Sequence, residues 1–276
     1  MTTTQSDRAK HFEDLHRTGT FVLPNAWDAA SAAVIAAAGA KAIATTSSGI
    51  SWSLGVPDGE ELSRDDMMAA IARIARAVDV PVSGDAEAGY GPSPKDVATT
   101  VEALIDAGAV GANLEDRQRA GGDPLFPLDA MCERIAAARA VADRRGIGFV
   151  LNARTDVFLA SVGDPAEREE KTLERGEAFK RAGADSFFVP GLADVPTIAR
   201  IVSRSSLPVN ILLSAGGPTI AQLAEVGVRR ISAGGAVASI SYAAAQHAAK
   251  QLLEGDTSVL ATRLGHMEMQ KLMSRR

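Results

Sequence analysis

The stretch "IDAGAVGANLED", residues 105–116, decides how the chain is read. A helical ending runs into Gly108, and a short run of small and apolar residues follows at once and stops on two acids, Glu115 and Asp116. A glycine just past a helix supplies the left-handed cap from which a strand can start. The same punctuation recurs in "AAAGAKAIA" (36–44), "KRAGADSFFV" (180–189) and "AEVGVRRIS" (224–232). Each time an Ala-rich segment of helical period gives way to a short strand-like run, the pattern of repeated βα units around a parallel sheet.

Working outward gives eight strand candidates. They are "TFVLP" from 20, "AIATTS" from 42, "VPVSGD" from 80, "GANLED" from 111, "GFVLNAR" from 148, "DSFFVP" from 185, "PVNILL" from 208 and "RRISAG" from 229. With 276 residues and no break in composition, eight such units predict a single (β/α)8 TIM barrel domain over residues 1–276. A doubly wound open sheet would carry a glycine-rich dinucleotide loop after an early strand, and "LPNAWDAAS" (23–31) has none. Past the last unit, residues 254–276 form a helical tail whose Val259, Leu260, Leu264, Met267 and Met269 make an apolar face. That face is expected to cap the barrel or to pack on a neighbouring subunit.

Composition narrows the function. A net charge of −5 and a pI near 5.5, with only short basic runs, argue against nucleic acid as a partner. No apolar run reaches the ~18 residues of a membrane span, and "MTTTQSDRAKHFEDLH" is polar where a signal peptide needs an apolar stretch. The expected place is therefore the cytoplasm, away from membranes. The single cysteine, Cys132, sits in the helical pattern "LDAMCERIAAARA" and is read as a core residue rather than a nucleophile.

Chemistry in such a barrel sits at the C-terminal ends of the strands. The polar residues there are strongly acidic: Asp85 and Glu87 after the third strand, Glu115 and Asp116 after the fourth, Asp156 after the fifth. Residues i and i+2 of a strand share a face, so Asp85 and Glu87 would repel unless a cation or a proton lay between them. Asp85, Glu87 and Glu115, on adjacent strand ends, suit a hard divalent ion with oxygen ligands and waters: Mg²⁺ first, with Mn²⁺ as the alternative. Arg154, at the end of "LNAR", either holds an anionic substrate with its planar fork or serves as a structural partner of Glu115 or Asp85. "TTSSGIS" (45–51) offers Thr46, Ser47 and Ser48, with backbone amides around Gly49, as a loop that cradles a carboxylate. None of the seven lysines and four histidines falls at a strand's C-terminal end, which argues against Schiff-base chemistry, a zinc site or a histidine base.

"TTSSGISWSLGVPDGE", "GDAEAGYG", "NLEDR" and "NARTD", in this order and spacing, resemble the isocitrate lyase and phosphoenolpyruvate mutase superfamily. The resemblance runs from about "PNAWD" to "PVNILL". It implies a (β/α)8 barrel, a homo-oligomer (tetramer or dimer) in which a helix is swapped between subunits, and Mg²⁺ with a 2-oxo acid or dicarboxylate as partner. By resemblance Asp85 is the direct metal ligand, while Asp58, Glu87 and Glu115 hold metal-bound waters. Ser48, Gly49 and Ile50 cradle the substrate carboxylate, Arg154 faces the substrate, Tyr90 belongs to the "GYG" turn, and Asn210 is a polar residue of the seventh strand. Glu115, Tyr90 and Arg154 form the expected catalytic set.

The chain departs from the family in one place. Isocitrate and methylisocitrate lyases carry "KKCGH" after the fourth strand, and mutases and phosphonopyruvate hydrolases carry a lysine and an asparagine there. Residues 115–129 of this chain read "EDRQRAGGDPLFPLD". Residues 117–128 are nevertheless expected to form a lid, with Arg117 and Arg119 closing over an anion. The expectation that results is a Mg²⁺-dependent lyase breaking a carbon–carbon bond of a small 2-oxo acid, or of a related di- or tricarboxylate, through a metal-stabilised enolate. The alternatives are a carbon–phosphorus hydrolase or mutase acting on phosphonopyruvate, or a non-catalytic 2-oxo acid binding protein.

Overall fold

The computed structural model describes residues 4–119 and 122–274. Nine parallel strands follow one another round a closed sheet: β1 Phe21–Leu23, β2 Asn25–Ala26, β3 Ile43–Thr45, β4 Val82–Asp85, β5 Gly111–Glu115, β6 Val150–Arg154, β7 Ser186–Val189, β8 Val209–Leu212 and β9 Arg230–Ser232. Short β1 and β2 are two halves of one barrel strand. Pro24 has no N–H to give the ladder, so the strand divides there. β1 pairs with β9, β2 pairs with β3, and the barrel closes across the gap. All eight strand regions expected from the sequence form, and the (β/α)8 barrel stands. The one difference is the division of "TFVLP" at its proline.

Helices alternate with the strands: α1 Gln5–Leu15, α2 Ala29–Ala37, α3 Ser47–Ser53, α4 Arg64–Ala77, α5 Pro94–Asp106, α6 Leu128–Arg145, α7 Arg168–Ala182, α8 Val195–Arg204, α9 Ile220–Glu225, α10 Ala236–Leu253 and α11 His266–Met273. Their starts follow from local chemistry. Ser93 and Asp96 form a reciprocal capping box at α5, with Pro94 as its first residue, and Thr4 and Asp7 do the same for α1. α6 and α7 end on Gly146 and Gly183 in the left-handed region, the helix-to-strand punctuation noted above.

The main core lies between the strands and the surrounding helices. A second, smaller cluster of Ala9, Phe12, Phe21, Leu23, Ala42, Ala44, Val110 and Val150 joins α1 to the N-terminal ends of the strands. α1 thus plugs the barrel opposite the expected mouth. Gly111 makes room for the plug: a Cβ there would lie 2.8 Å from both the Phe12 ring and the Val150 carbonyl oxygen.

The C-terminal part is less embedded. Within α10 only Ala238 is buried, and Ile240 (67%) and Leu253 (88%) stand well into solvent. The tail helix α11 lies against α2 on the outer wall of the barrel, while Leu260, Leu264 and Met267 remain exposed. No helix among the described residues is long and apolar enough to cross a membrane.

Candidate active site

At the C-terminal mouth a cavity of about 150 Å³ is lined by Asn25, Thr46, Ser47, Ser48, Asp58, Asp85, Asn113, Arg154, Asn210 and Arg230, among others. Seven residues expected at the site therefore meet in one place: Thr46, Ser47, Ser48, Asp58, Asp85, Arg154 and Asn210. Asp85 terminates β4. Its Oδ2 accepts from the Ser47 amide at 3.2 Å, and its Oδ1 accepts from the Glu87 amide at 3.2 Å and from Asn113 Nδ2 at 3.3 Å. These are long, weak bonds for a carboxylate, so Asp85 keeps acceptor capacity toward the cavity. Asn210 belongs to a buried polar chain in the barrel interior. Asn152 Nδ2 donates to Asn113 Oδ1 and to Asn210 Oδ1 at 3.1 Å each, and Asn210 Nδ2 donates to Ser232 Oγ at 3.1 Å.

The segment read as a carboxylate-cradling loop is helical. Ser47–Ser53 forms α3, whose first turn has no side-chain cap from Thr46; Ser47 and Ser48 line the cavity, with the Ser47 amide given to Asp85 and the Ser48 hydroxyl 2.9 Å from that of Thr46. Gly49 and Ile50 lie behind this edge and do not line the cavity. Ile50 is wholly buried, and a side chain at Gly49 would meet Thr46 Cγ2 and Trp27 Cβ at 2.8 Å. Gly49 is therefore a packing requirement of α3 rather than the bend of a loop.

Glu87 also differs from expectation. β4 stops at Asp85, and Glu87 takes a left-handed φ of 47°, with Tyr90 at 56°. The two-residue alternation that would align Asp85 with Glu87 is broken, and the carboxylate turns away from the cavity lining. Its Oε1 accepts from the Tyr90 hydroxyl at 2.8 Å, and its Oε2 accepts from the Glu60 amide at 2.8 Å and from Arg119 Nη2 at 3.1 Å. Burial, then the Asp85 charge, push Glu87 up to about 7. Burial, with the same acids, holds the Tyr90 phenol far above its usual range, so it stays protonated and donates to Glu87.

Glu115 is 3% exposed. It pairs with Arg154 (Nη1 to Oε2, 2.7 Å) and with Arg119 (Nη2 to Oε1, 3.3 Å), and burial pushes it up to about 8. Arg154 also donates to Asp156, Nε to Oδ1 at 2.6 Å and Nη2 to Oδ2 at 2.9 Å. Burial lowers its pKa, but Glu115 and Asp156 outweigh that effect and the guanidinium stays charged. Of the two readings of Arg154, the structural partner is realised through Glu115, and the same side chain also lines the cavity.

Asp116, grouped with the acids of the mouth, belongs elsewhere. It is fully buried and bonded to Arg175 Nε at 2.7 Å, holding α7 to the strand end. Within the expected lid, Arg117 bridges to Leu125 in antiparallel fashion, and Arg119 lies across Glu87 and Glu115. Residues 120 and 121 fall outside the described residues.

Glu60 was not singled out from the sequence. Glu60 Oε1 accepts from the amides of Ala88 (3.1 Å) and Tyr90 (2.9 Å), so the loop carrying Asp58 and the Glu87 turn latch each other. The available signal was its place two residues after Asp58 in "PDGE".

The donor set admits a hydrated divalent cation. Among the described residues no three His, Cys, Asp or Glu side chains converge to cage an ion by themselves. Mg²⁺ commonly takes one or two carboxylates and keeps its waters. Asp85, with spare acceptor capacity and Asp58 on the same cavity, meets that requirement.

The fold and the mouth define a (β/α)8 barrel that carries Asp58, Asp85 and Arg154 on one cavity. The chain belongs to the isocitrate lyase and phosphoenolpyruvate mutase superfamily: the phosphoenolpyruvate phosphomutase family model matches residues 12–253. An uncharacterized protein of Mycobacterium tuberculosis is 38% identical over 248 residues, 89% of this chain and 90% of the relative. The 2-methylisocitrate lyase of Salmonella typhimurium is 32% identical over 189 residues, 66% of this chain and 61% of that enzyme. A solved structure of oxaloacetate acetylhydrolase in complex with its product oxalate superimposes with a TM-score of 0.86 at 28% identity, covering 98% of this chain and 95% of that one.

Proposed function

We propose that this protein is a Mg²⁺-dependent carbon–carbon lyase acting on a small 2-oxo acid or a related di- or tricarboxylate, in the cytoplasm. The observation that carries the reading is the meeting of Asp85, Asp58, Arg154, Ser47 and Ser48 on one cavity. At about 150 Å³ it is well below the ~300 Å³ of a drug-sized pocket, which suits a compact acid. Asp85 would hold the cation, and Asp58, Glu87 and Glu115 would orient its waters. A bound divalent ion supplies Lewis-acid stabilisation of the negative charge that develops when a bond beside a keto group breaks.

The chain's own residues bind and orient. The Ser47 and Ser48 hydroxyls would receive the substrate carboxylate. Arg154, immobilised by Asp156 and Glu115, presents a fixed positive charge to a second anionic group. Tyr90 and Glu60 hold Glu87 in place. No lysine, histidine or cysteine lines the cavity among the described residues, which fits a cleavage that needs no strong enzymic base. The relatives that cleave carbon–carbon bonds of such acids support the same class. We read residues 254–276 as an extension of one 1–276 domain, and the exposed apolar residues of α10 and the tail as contacts of a homo-oligomer.

The test is a panel of 2-oxo acids, phosphonopyruvate and branched 2-hydroxy diacids assayed with Mg²⁺, together with thermal stabilisation by oxalate. Asp85→Ala should abolish both metal-dependent turnover and oxalate stabilisation. Full activity in Asp85→Ala would sink the reading. Phosphate release from phosphonopyruvate would select the carbon–phosphorus chemistry, and tight binding without turnover would select a binding protein.

A further inference from the structure

Arg230 opens β9 and lines the cavity from below the mouth. The residue is 2% exposed, its Nε and Nη1 have no hydrogen-bond partner, and it forms no ion pair among the described residues. On its lower side lies the ring of Phe12 in the α1 plug, 5.8 Å from Cζ. Burial lowers its pKa to about 9, which still leaves a cation at neutral pH. Ser83 Oγ on β4 lines the same cavity and is also without a partner. The neighbouring amides are already engaged: Asn25 Nδ2 donates to the Thr45 carbonyl at 2.9 Å, and Asn210 Nδ2 donates to Ser232 Oγ. What the floor leaves unused is therefore two guanidinium nitrogens, Nε and Nη1, and a hydroxyl.

A buried charge is ordinarily paired, because desolvating it alone is costly. Asp85 is the acid whose field reaches Arg230, yet its oxygens are turned to Ser47, Glu87 and Asn113. We propose that the floor of the barrel cavity is an anion-binding subsite, in which the Arg230 guanidinium and the Ser83 hydroxyl hold a small monovalent anion or a single carboxylate group.

The test is bromide soaked into crystals of the full chain, located by its anomalous scattering. A bromide peak within hydrogen-bond distance of the Arg230 guanidinium is expected, and water alone at that place would overturn the proposal. In solution, bromide replacing gluconate at constant ionic strength should raise the Tm by about 2–4 °C in the wild type, and Arg230→Met should lose the rise. An undiminished rise in Arg230→Met would count against the subsite, and if that variant does not fold the wild-type soak decides alone. Soaks with bromide and oxalate together separate the sources. Displacement means that the floor receives a carboxylate of the organic acid, and coexistence means that it holds a free inorganic anion. A bromide site in a protein that turns over none of the panel would leave the subsite standing and remove only the lyase reading.

Discussion

Glu60 offers a direct test of how the acidic turn is held. Its carboxylate takes two amide hydrogen bonds from a turn with two non-glycine residues at positive φ, Glu87 and Tyr90. Such backbone persists only where surrounding contacts hold it. Hydrogen bonds to a charged acceptor contribute roughly 1.5–3 kcal/mol each when buried, and Glu60 is half-buried, so the pair should be worth ~2–3 kcal/mol in all. If the turn must be in place for the cavity to bind a metal-chelating acid, Glu60→Ala should weaken oxalate binding in Mg²⁺ by roughly 30- to 150-fold. Glu60→Gln keeps a neutral acceptor, and its loss should stay within about tenfold. Isothermal calorimetry with oxalate measures both variants, and melting curves show whether either has simply lost its fold. Wild-type oxalate affinity in a well-folded Glu60→Ala protein would refute the reasoning, because the turn would then be held without its latch.

Two further outcomes are expected. Arg119 is 40% exposed and shared between Glu87 and Glu115, so Arg119→Met should remove a competing cation from both carboxylates and tighten Mn²⁺ binding by roughly fivefold, equivalent to ~1 kcal/mol. Manganese titration followed by electron paramagnetic resonance would show it, and weaker binding would instead make Arg119 a clasp that the site requires. His16 lies among Phe12, Phe21 and Arg230, where burial first and the Arg230 charge second lower it to about 3. Between pH 3 and 6.5 the unfolded chain takes up a proton that the folded chain refuses. Its contribution is therefore complete above about pH 6.5 and falls by about 1.4 kcal/mol per pH unit as the pH drops through that window. Melting temperatures of the wild type should fall more steeply with acidification than those of His16→Gln, and equal slopes would remove His16 as the cause.

What the sequence shows and what it hides divide along a physical line. Strand and helix placement rests on contacts a few residues apart, so the eight βα units are legible in glycine caps and β-branched runs, down to Asp85 as the last residue of β4. The division at Pro24 is local as well. The α1 plug depends instead on Phe12 meeting Gly111 and Val150, a hundred or more residues away, and nothing in "AKHFEDLH" announces it. At the mouth the same limit separates position from pairing. Asp85, Glu115 and Arg154 end their strands as the sequence predicts, but Glu87 leaves the strand pattern because its φ is 47°, and what holds it there is Glu60 from a different loop. The i, i+2 rule applies only while the strand continues. The acid that ends a strand can be assigned to the mouth from sequence alone, whereas the acid two residues later needs the loop that catches it.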